Sequence, residues 1–374
     1  MKRRLLVTST ELMMVQFLAP HIKYLSTQGF DIDIACSEVG GRFEEVKRNL
    51  APYVNQIFKL SLVRSPLSLK NWTGYKDLTR LFKNNNYDFV WTNEPVMSVA
   101  TRLAARNARK KGTKVMYMSH GFHFFKKAPI INWILFYPIE RFVAGYTDKI
   151  VCINKEDFDR AQKFNVNEVA YIHGIGMDTS RLTKSVEKRT DIRKELNLKN
   201  DDFLILSIGE LNKNKNQKTI IKALSTLDNS KIHYILCGKG SQLQDLGKLT
   251  SELGLDNQVH FLGYRRDVVD ICTGVDLFAM PSLREGLGLA ALEAMYCGLP
   301  LVTSNLRGFE DYNKAGRNGF LCSPTDYKDF AAKIGELYTN KELADAMSNN
   351  NLKDVTPFIL DNSLSEVKAL FDNL

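Results

Sequence analysis

PSLREGLGLAALEAMYCGLP, residues 281–300, is the stretch whose reading decides the fold. The apolar run DLFAMP (276–281) reads as a buried strand, SLREGLG (282–288) as the loop after it and LAALEAMYC (289–297) as a helix stopped by Gly298 and Pro300. Strand, glycine-bearing loop and helix in that order make up half of a βαβ unit. The start of such a helix offers free backbone N–H groups and the positive end of the macrodipole, and glycines let an anion come close. Two carboxylates, Glu285 and Glu293, stand eight residues apart in and behind this loop.

The same alternation runs through the chain. RRLLVT (3–8), DIDIAC (31–36), DFVWTN (88–93), KVMYMS (114–119) and DKIVCI (148–153) read as strands of the first half. FLILSIG (203–209), KIHYILCG (231–238), QVHFLG (258–263), DLFAMP and PLVTS (300–304) do so in the second. Between them, segments such as 95–111 and 217–227 repeat apolar residues every three or four positions, as amphipathic helices require. This pattern predicts an α/β fold of two doubly wound, Rossmann-like domains facing a cleft. The expected division is 1–175, 176–355 and a C-terminal helix within 356–374 that returns to the first domain, with the seam in 170–196. Ligands of such sheets bind beyond the carboxyl ends of the strands.

Composition narrows the partners. The 374 residues are 44% hydrophobic, enough for two cores. Residues 1–185 hold 28 Lys and Arg against 16 Asp and Glu, a net of +12, whereas residues 186–374 carry a net of −3. A basic half suits an anionic partner: a phosphorylated substrate, a membrane surface or a nucleic acid. The six cysteines are scattered without a C-x-x-C pair and read as small buried hydrophobes of a reducing cytosol. The apolar run after the basic start ends at Val7, too short for a signal peptide, and APIINWILFYPIERF (128–142) is too short and too interrupted to span a bilayer.

Phosphate cradles do not call for extra carboxylates, whereas a carboxylate beside a sugar nucleotide accepts hydrogen bonds from hydroxyl pairs. Glu293 is then a partner for ribose hydroxyls and Glu285 for those of a sugar. The competing reading puts Glu293 on a solvated helix face and makes Glu285 an ordinary N-terminal charge.

Residues 281–308 resemble the E-x7-E signature of family 4 retaining glycosyltransferases, which have the GT-B fold. Further blocks follow in that family's order: SIGELNKNKNQKTIIKAL (207–224), LCGKGSQLQDL (236–246), VHFLGYRRDV (259–268) and GRNGFLCSP (316–324). MSHGFHFFKKAPIINWILFYPIERF (118–142) with YTDKIVCINKEDF (146–158) is similar to the subgroup that builds bacterial capsule, exopolysaccharide and related lipid-linked glycans. The resemblance implies transfer of a sugar, first of all an N-acetylated amino sugar, from a UDP-sugar to a saccharide on polyprenyl diphosphate. It also implies an enzyme at the inner face of the cell membrane, with no cofactor and no nucleic acid partner.

Residue by residue, the resemblance makes Glu293 the ribose partner and Glu285 the partner of the transferred sugar. The amides of Gly286, Leu287, Gly288 and Leu289 would hold the diphosphate, and Lys215 would neutralise charge on the leaving group. His120 would stand near the donor sugar, and Gly238, Lys239 and Arg265 would flank the base. A carboxylate, Glu210, stands where the family places an arginine, and TSTELMM (8–14) lacks the paired glycines usual after the first strand. No Asp-x-Asp pair stands in a metal-binding context: Asp31/Asp33 and Asp157/Asp159 read as solvated charges, so no metal is expected. A sugar-nucleotide epimerase is the alternative reading, but no acid/base set supports it. Arg64, Phe124, Lys126 and Lys127 are the residues expected to touch lipid or the acceptor diphosphate in a salt-sensitive attachment, with Trp133, Phe136 and Tyr137 expected in the core.

Overall fold

The computed structural model describes residues 3–126, 128–183 and 191–374. Lys127 and most of the charged run in the expected seam lie outside them. The chain forms two compact units, one of Met1–Gly176 with Asp361–Leu374 and the other of Met177–Leu360. The first holds a seven-stranded sheet of β1 (Arg3–Thr10), β2 (Phe30–Ser37), β3 (Gln56–Leu60), β4 (Phe89–Asn93), β5 (Lys114–Ser119), β6 (Lys149–Cys152) and β7 (Glu168–Tyr171), in the order β3-β2-β1-β4-β5-β6-β7. The second holds β8 (Phe203–Ile208), β9 (Ile232–Cys237), β10 (Val259–Gly263), β11 (Leu277–Met280), β12 (Leu301–Ser304) and β13 (Gly319–Cys322), in the order β10-β9-β8-β11-β12-β13. Neighbouring strands of both sheets are parallel, so each unit is doubly wound. The order reverses between β1 and β4 in the first sheet and between β8 and β11 in the second, which makes the loops after those strands the places to search.

Burial on both faces explains the apolar strands. Leu5, Leu6 and Val7 of β1 and Leu204, Ile205 and Leu206 of β8 are fully buried. Two buried acids are paired. Asp33, read as solvated, is buried; it accepts from the Tyr87 hydroxyl at 2.8 Å and pairs with Arg4 at 3.2 Å. Asp157 is also buried, where it accepts from the N–H of Phe122 at 2.9 Å. Both carboxylates are structural because a buried charge needs such partners.

The C-terminal helix Leu360–Asp372 is knitted into the first unit. Phe371 packs on Phe30, Phe89 and Trp91 with ring centroids 5.3–6.1 Å apart, and Ser363 donates to Gly174 O at 2.7 Å. The ammonium of buried Lys149 donates to Leu370 O at 3.0 Å, a cation on carbonyls left open at a helix end. Residues 356–360 do not join it there. Met177 N–H donates to Phe358 O and Leu360 N–H to Met177 O, each at 2.9 Å, which holds this piece on the second unit.

Candidate active site

In the second unit, the loops after β8 and β11 meet at the switch point. Their closest contact is an ion pair, Lys215 Nζ to Glu285 Oε1 at 2.5 Å, with both side chains mostly shielded. Three asparagines that the sequence reading passed over set this geometry. Asn212 Oδ1 accepts from Lys215 N–H at 2.9 Å, Asn214 Nδ2 donates to Arg284 O at 3.0 Å, and Asn216 Nδ2 donates to Pro281 O at 3.0 Å and Pro324 O at 2.7 Å. Leu283 N–H donates to Asn214 O at 2.7 Å. The segment carrying Lys215 is thereby laced to the segment carrying Glu285 by backbone acceptors that any sequence would supply. The alternating asparagines of NKNKN are the only signal available beforehand.

Behind Glu285, the backbone turns through Gly288 at φ +79° into the helix Leu289–Tyr296. A side chain there would be strained by that φ, and its Cβ would stand 2.5 Å from Phe309 Cε1. Tyr312 braces the same turn from below, its hydroxyl donating to Leu287 O at 2.8 Å. Burial, followed by the charge of Glu285, holds the Tyr312 phenol far above its ordinary pKa, so it remains a donor. Among the described residues, none accepts a hydrogen bond from the N–H of Gly286, Leu287, Gly288 or Leu289. The result is a run of free donors at a helix start beside one ammonium, an arrangement suited to a diphosphate. Glu293 lies one turn into that helix and is partly exposed, while Ala291, Leu292, Ala294 and Met295 are buried.

The remaining residues of this unit divide. Gly238 approaches the backbone of Gly209 closely, and the exposed Lys239 gives its carbonyl to Leu211 N–H at 3.0 Å. Arg265 is not the free cation that a place beside the base suggested. Four of its five N–H groups are taken by Asp267 and Glu195 at 2.5–3.1 Å, and these carboxylates push its pKa further up.

In the first unit, His120 follows β5 and its Nε2 lies 2.9 Å from Oδ1 of buried Asn93 at the end of β4. With that oxygen as acceptor, Nε2 carries the proton of the neutral ring and Nδ1 is left as an acceptor. Burial lowers the His120 pKa to about 4. It therefore acts as a neutral hydrogen-bonding group at pH 7. Between pH 6.5 and 4 the unfolded chain takes this proton and the folded one does not, so stability must fall as pH drops through that window, by about 3 kcal/mol for this residue. His21, also lowered to about 4, adds in the same direction. Urea unfolding of His120→Gln should show a shallower loss across that window, and an unaltered pH slope would contradict the assignment.

Glu94 was missed altogether. It follows β4 at the switch point with φ 63° and ψ 145°, a conformation rare outside glycine. Its carboxylate accepts from Ser9 Oγ at 2.9 Å, Thr10 N–H at 2.6 Å and Thr10 Oγ1 at 3.0 Å, and Arg64 stands 3.6 Å away. Ser9 and Thr10, in the stretch that lacks the paired glycines, are thus already engaged. The sequence signal was an acidic residue before Pro95 at a strand end. Arg64 is exposed and lines a cavity of about 250 Å³ beside Glu94. Phe124, expected at lipid, is fully buried and stacked on Phe122 at 4.8 Å; neighbouring aromatics make it core. Lys126 is exposed.

The order of the two units has counterparts among known proteins. Residues 16–181 match the model described as Glycosyltransferase Family 4 and residues 188–354 the one described as Glycosyl transferases group 1. The chain is 32% identical to EpsD of Bacillus subtilis (strain 168), which carries a provisional glycosyltransferase designation, over 95% of this chain and 92% of that one. It is 27% identical to an Escherichia coli UDP-Gal:α-D-GlcNAc-diphosphoundecaprenol α-1,3-galactosyltransferase over 93% and 90% of the two. Anabaena HepE in complex with UDP and glucose shares the fold, with a TM-score of 0.78, 19% identity and full coverage of both chains. That architecture is GT-B, and with both halves matched and near-complete coverage of a 32% identical relative, the chain belongs to the family 4 glycosyltransferases.

Proposed function

We propose that this glycosyltransferase is a retaining enzyme that moves a hexosyl unit from a UDP-sugar to a saccharide carried on polyprenyl diphosphate. An N-acetylated amino sugar is the first donor to test. The observation that carries the reading is the Lys215–Glu285 pair beside the free N–H groups of Gly286 to Leu289 at the switch point of the second sheet. Breaking a sugar–phosphate bond leaves a dianionic diphosphate and an oxocarbenium-like sugar, and an ammonium with aligned backbone donors stabilises the former. Glu285 accepts from hydroxyls of the latter, and Glu293 accepts from the ribose. The donor and acceptor of the E. coli relative support both substrate classes. The reaction needs no bound metal in this proposal, because Lys215 and the amides supply the positive charge.

Calorimetry with UDP in the presence of EDTA tests the site. Glu293→Ala should weaken binding by about 1–3 kcal/mol, the scale of a hydrogen bond to a charged group. Glu285→Ala should leave UDP affinity nearly unchanged and lower turnover of the UDP-sugar, since its partner is the sugar. Equal losses of UDP affinity in the two variants would contradict the division. Mass spectrometry of products from a panel of UDP-sugars and polyprenyl-diphosphate saccharides reads the donor, the acceptor and the reaction class together.

A further inference from the structure

The helix Ile130–Ala144 is apolar on both faces, and the first unit's core uses one of them. Trp133, Phe136 and Tyr137 turn inward against the cluster that holds Phe122, Phe124 and Phe164, and Glu140 is buried in a 2.7 Å ion pair with Arg102. The opposite face carries Ile130, Ile131, Ile134, Leu135, Ile139 and Phe142, each 47–74% exposed. Their spacing traces one stripe along the helix. A second exposed apolar segment is near. Leu67 is 93% exposed, Leu69 90% and Trp72 61%. The 250 Å³ cavity is lined by Leu62 and Pro66, just before this segment in the chain, and by Phe136 of the helix.

The sequence of these segments carries charge of one sign, with Glu94 3.6 Å from Arg64 and Glu156 accepting from Lys126 N–H at 2.6 Å as the neighbouring acids. Residues 61–76 contain Arg64, Lys70 and Lys76, residues 121–139 contain Lys126 and Lys127, and neither stretch contains an acid. Arg141 is exposed beside Phe142. An apolar face of this extent on a protein surface marks an interaction site. Two copies meeting through it would bring like charges together, whereas anionic headgroups complement them. No helix among the described residues is long and apolar enough to cross a membrane, but a helix about 22 Å long with a free apolar stripe can lie in the headgroup plane.

We infer that the outer face of the helix Ile130–Ala144, together with Leu67, Leu69 and Trp72, inserts into the surface of an anionic bilayer. The inference rests on the reading of the acceptor as lipid-linked and names the surface that brings this chain to it. It also changes the expected salt response, because salt screens lysine and arginine but not buried apolar side chains. Co-sedimentation of the full chain with phosphatidylcholine/phosphatidylglycerol vesicles should leave most of it bound at 0.5 M salt, in contrast to a purely electrostatic attachment. Ile134→Glu/Leu135→Glu should cut the bound fraction by about tenfold at low and high salt, with UDP affinity and thermal midpoint unchanged. Brominated acyl chains should quench Trp72 fluorescence, a signal that Trp72→Phe removes. Full release of the wild type by salt, or wild-type sedimentation of the double variant, would overturn the inference. So would a wild-type dimer that the double variant converts to monomer, since the face would then join two copies. Transfer assays in detergent keep the two readings apart. A wild type that transfers sugar to a solubilised polyprenyl-diphosphate saccharide but ignores vesicles sinks the docking surface alone. One that inserts into vesicles but transfers to no lipid-linked acceptor sinks the acceptor reading.

Discussion

Lys215→Ala should lower turnover by about 100- to 1000-fold, equivalent to about 2.7–4 kcal/mol of transition-state stabilisation, the scale of removing one preorganised electrostatic group. The reason lies in when its charge is needed. Lys215 is paired with Glu285 at 2.5 Å, so each charge is already compensated. A bound diphosphate gives the ammonium a second anionic partner, and that partner gains charge as the sugar–phosphate bond breaks. The interaction is therefore stronger in the transition state than in the ground state, and kcat should fall further than UDP-sugar affinity. Glu210, which stands after Gly209 at the end of β8, cannot replace this cation. Truncating Lys215 alone also leaves Glu285 shielded and uncompensated, which costs stability of its own. The double variant Lys215→Ala/Glu285→Ala should recover thermal stability relative to the single one without recovering activity. Steady-state rates with saturating UDP-sugar provide the measurement, and a loss of less than about threefold would remove Lys215 from the reaction.

What the sequence made legible follows from what each residue does. The ten strands read in advance, β1, β2, β4–β6 and β8–β12, carry continuous apolar runs because most are covered on both faces. The three that were missed, β3 (QIFKL), β7 (EVAY) and β13 (GFLC), all close an edge of a sheet. Residues of β3 and β7 are mostly part-exposed, so a polar or charged side chain interrupts the apolar signal there. Glu285 and Lys215 stood out because charge next to glycine or asparagine in a loop is conspicuous. Asn212, Asn214 and Asn216 did not, since their partners are main-chain atoms up to 108 positions away. The misplacement of Phe124 has the same origin as the oversight of Ile134 and Leu135. Hydrophobicity reveals that a side chain seeks apolar surroundings, but only the packed helix reveals which face is already occupied.

Gly238→Ala should be the most damaging small substitution in the second unit. A Cβ on Gly238 would lie 1.8 Å from Gly209 O and 2.8 Å from Gly209 C, and both are backbone atoms with no rotamer to yield. The ends of three strands are stacked at that point: Gly209 N–H donates to Cys237 O at 2.9 Å, and Gly238 N–H donates to Gly263 O at 2.7 Å. Relieving the overlap means parting β8 from β9 at their carboxyl ends. The expected cost is about 3 kcal/mol or more, at the upper end for overpacking because the backbone itself must move. Function should suffer too, since the segment from Gly209 to Lys215 leads directly into the ion pair with Glu285. UDP affinity should therefore fall in Gly238→Ala even where the variant remains folded. Gly247→Ala supplies the matched comparison. Gly247 lies inside the helix Leu243–Glu252 with no atom within 4 Å of the added Cβ, so this change should raise stability by about 0.5–1 kcal/mol through helix propensity. Chemical denaturation of both variants, followed by UDP titration, provides the measurement. If Gly238→Ala unfolds at the same denaturant concentration as the wild type, the close approach of the two glycine loops is not a feature of the folded protein.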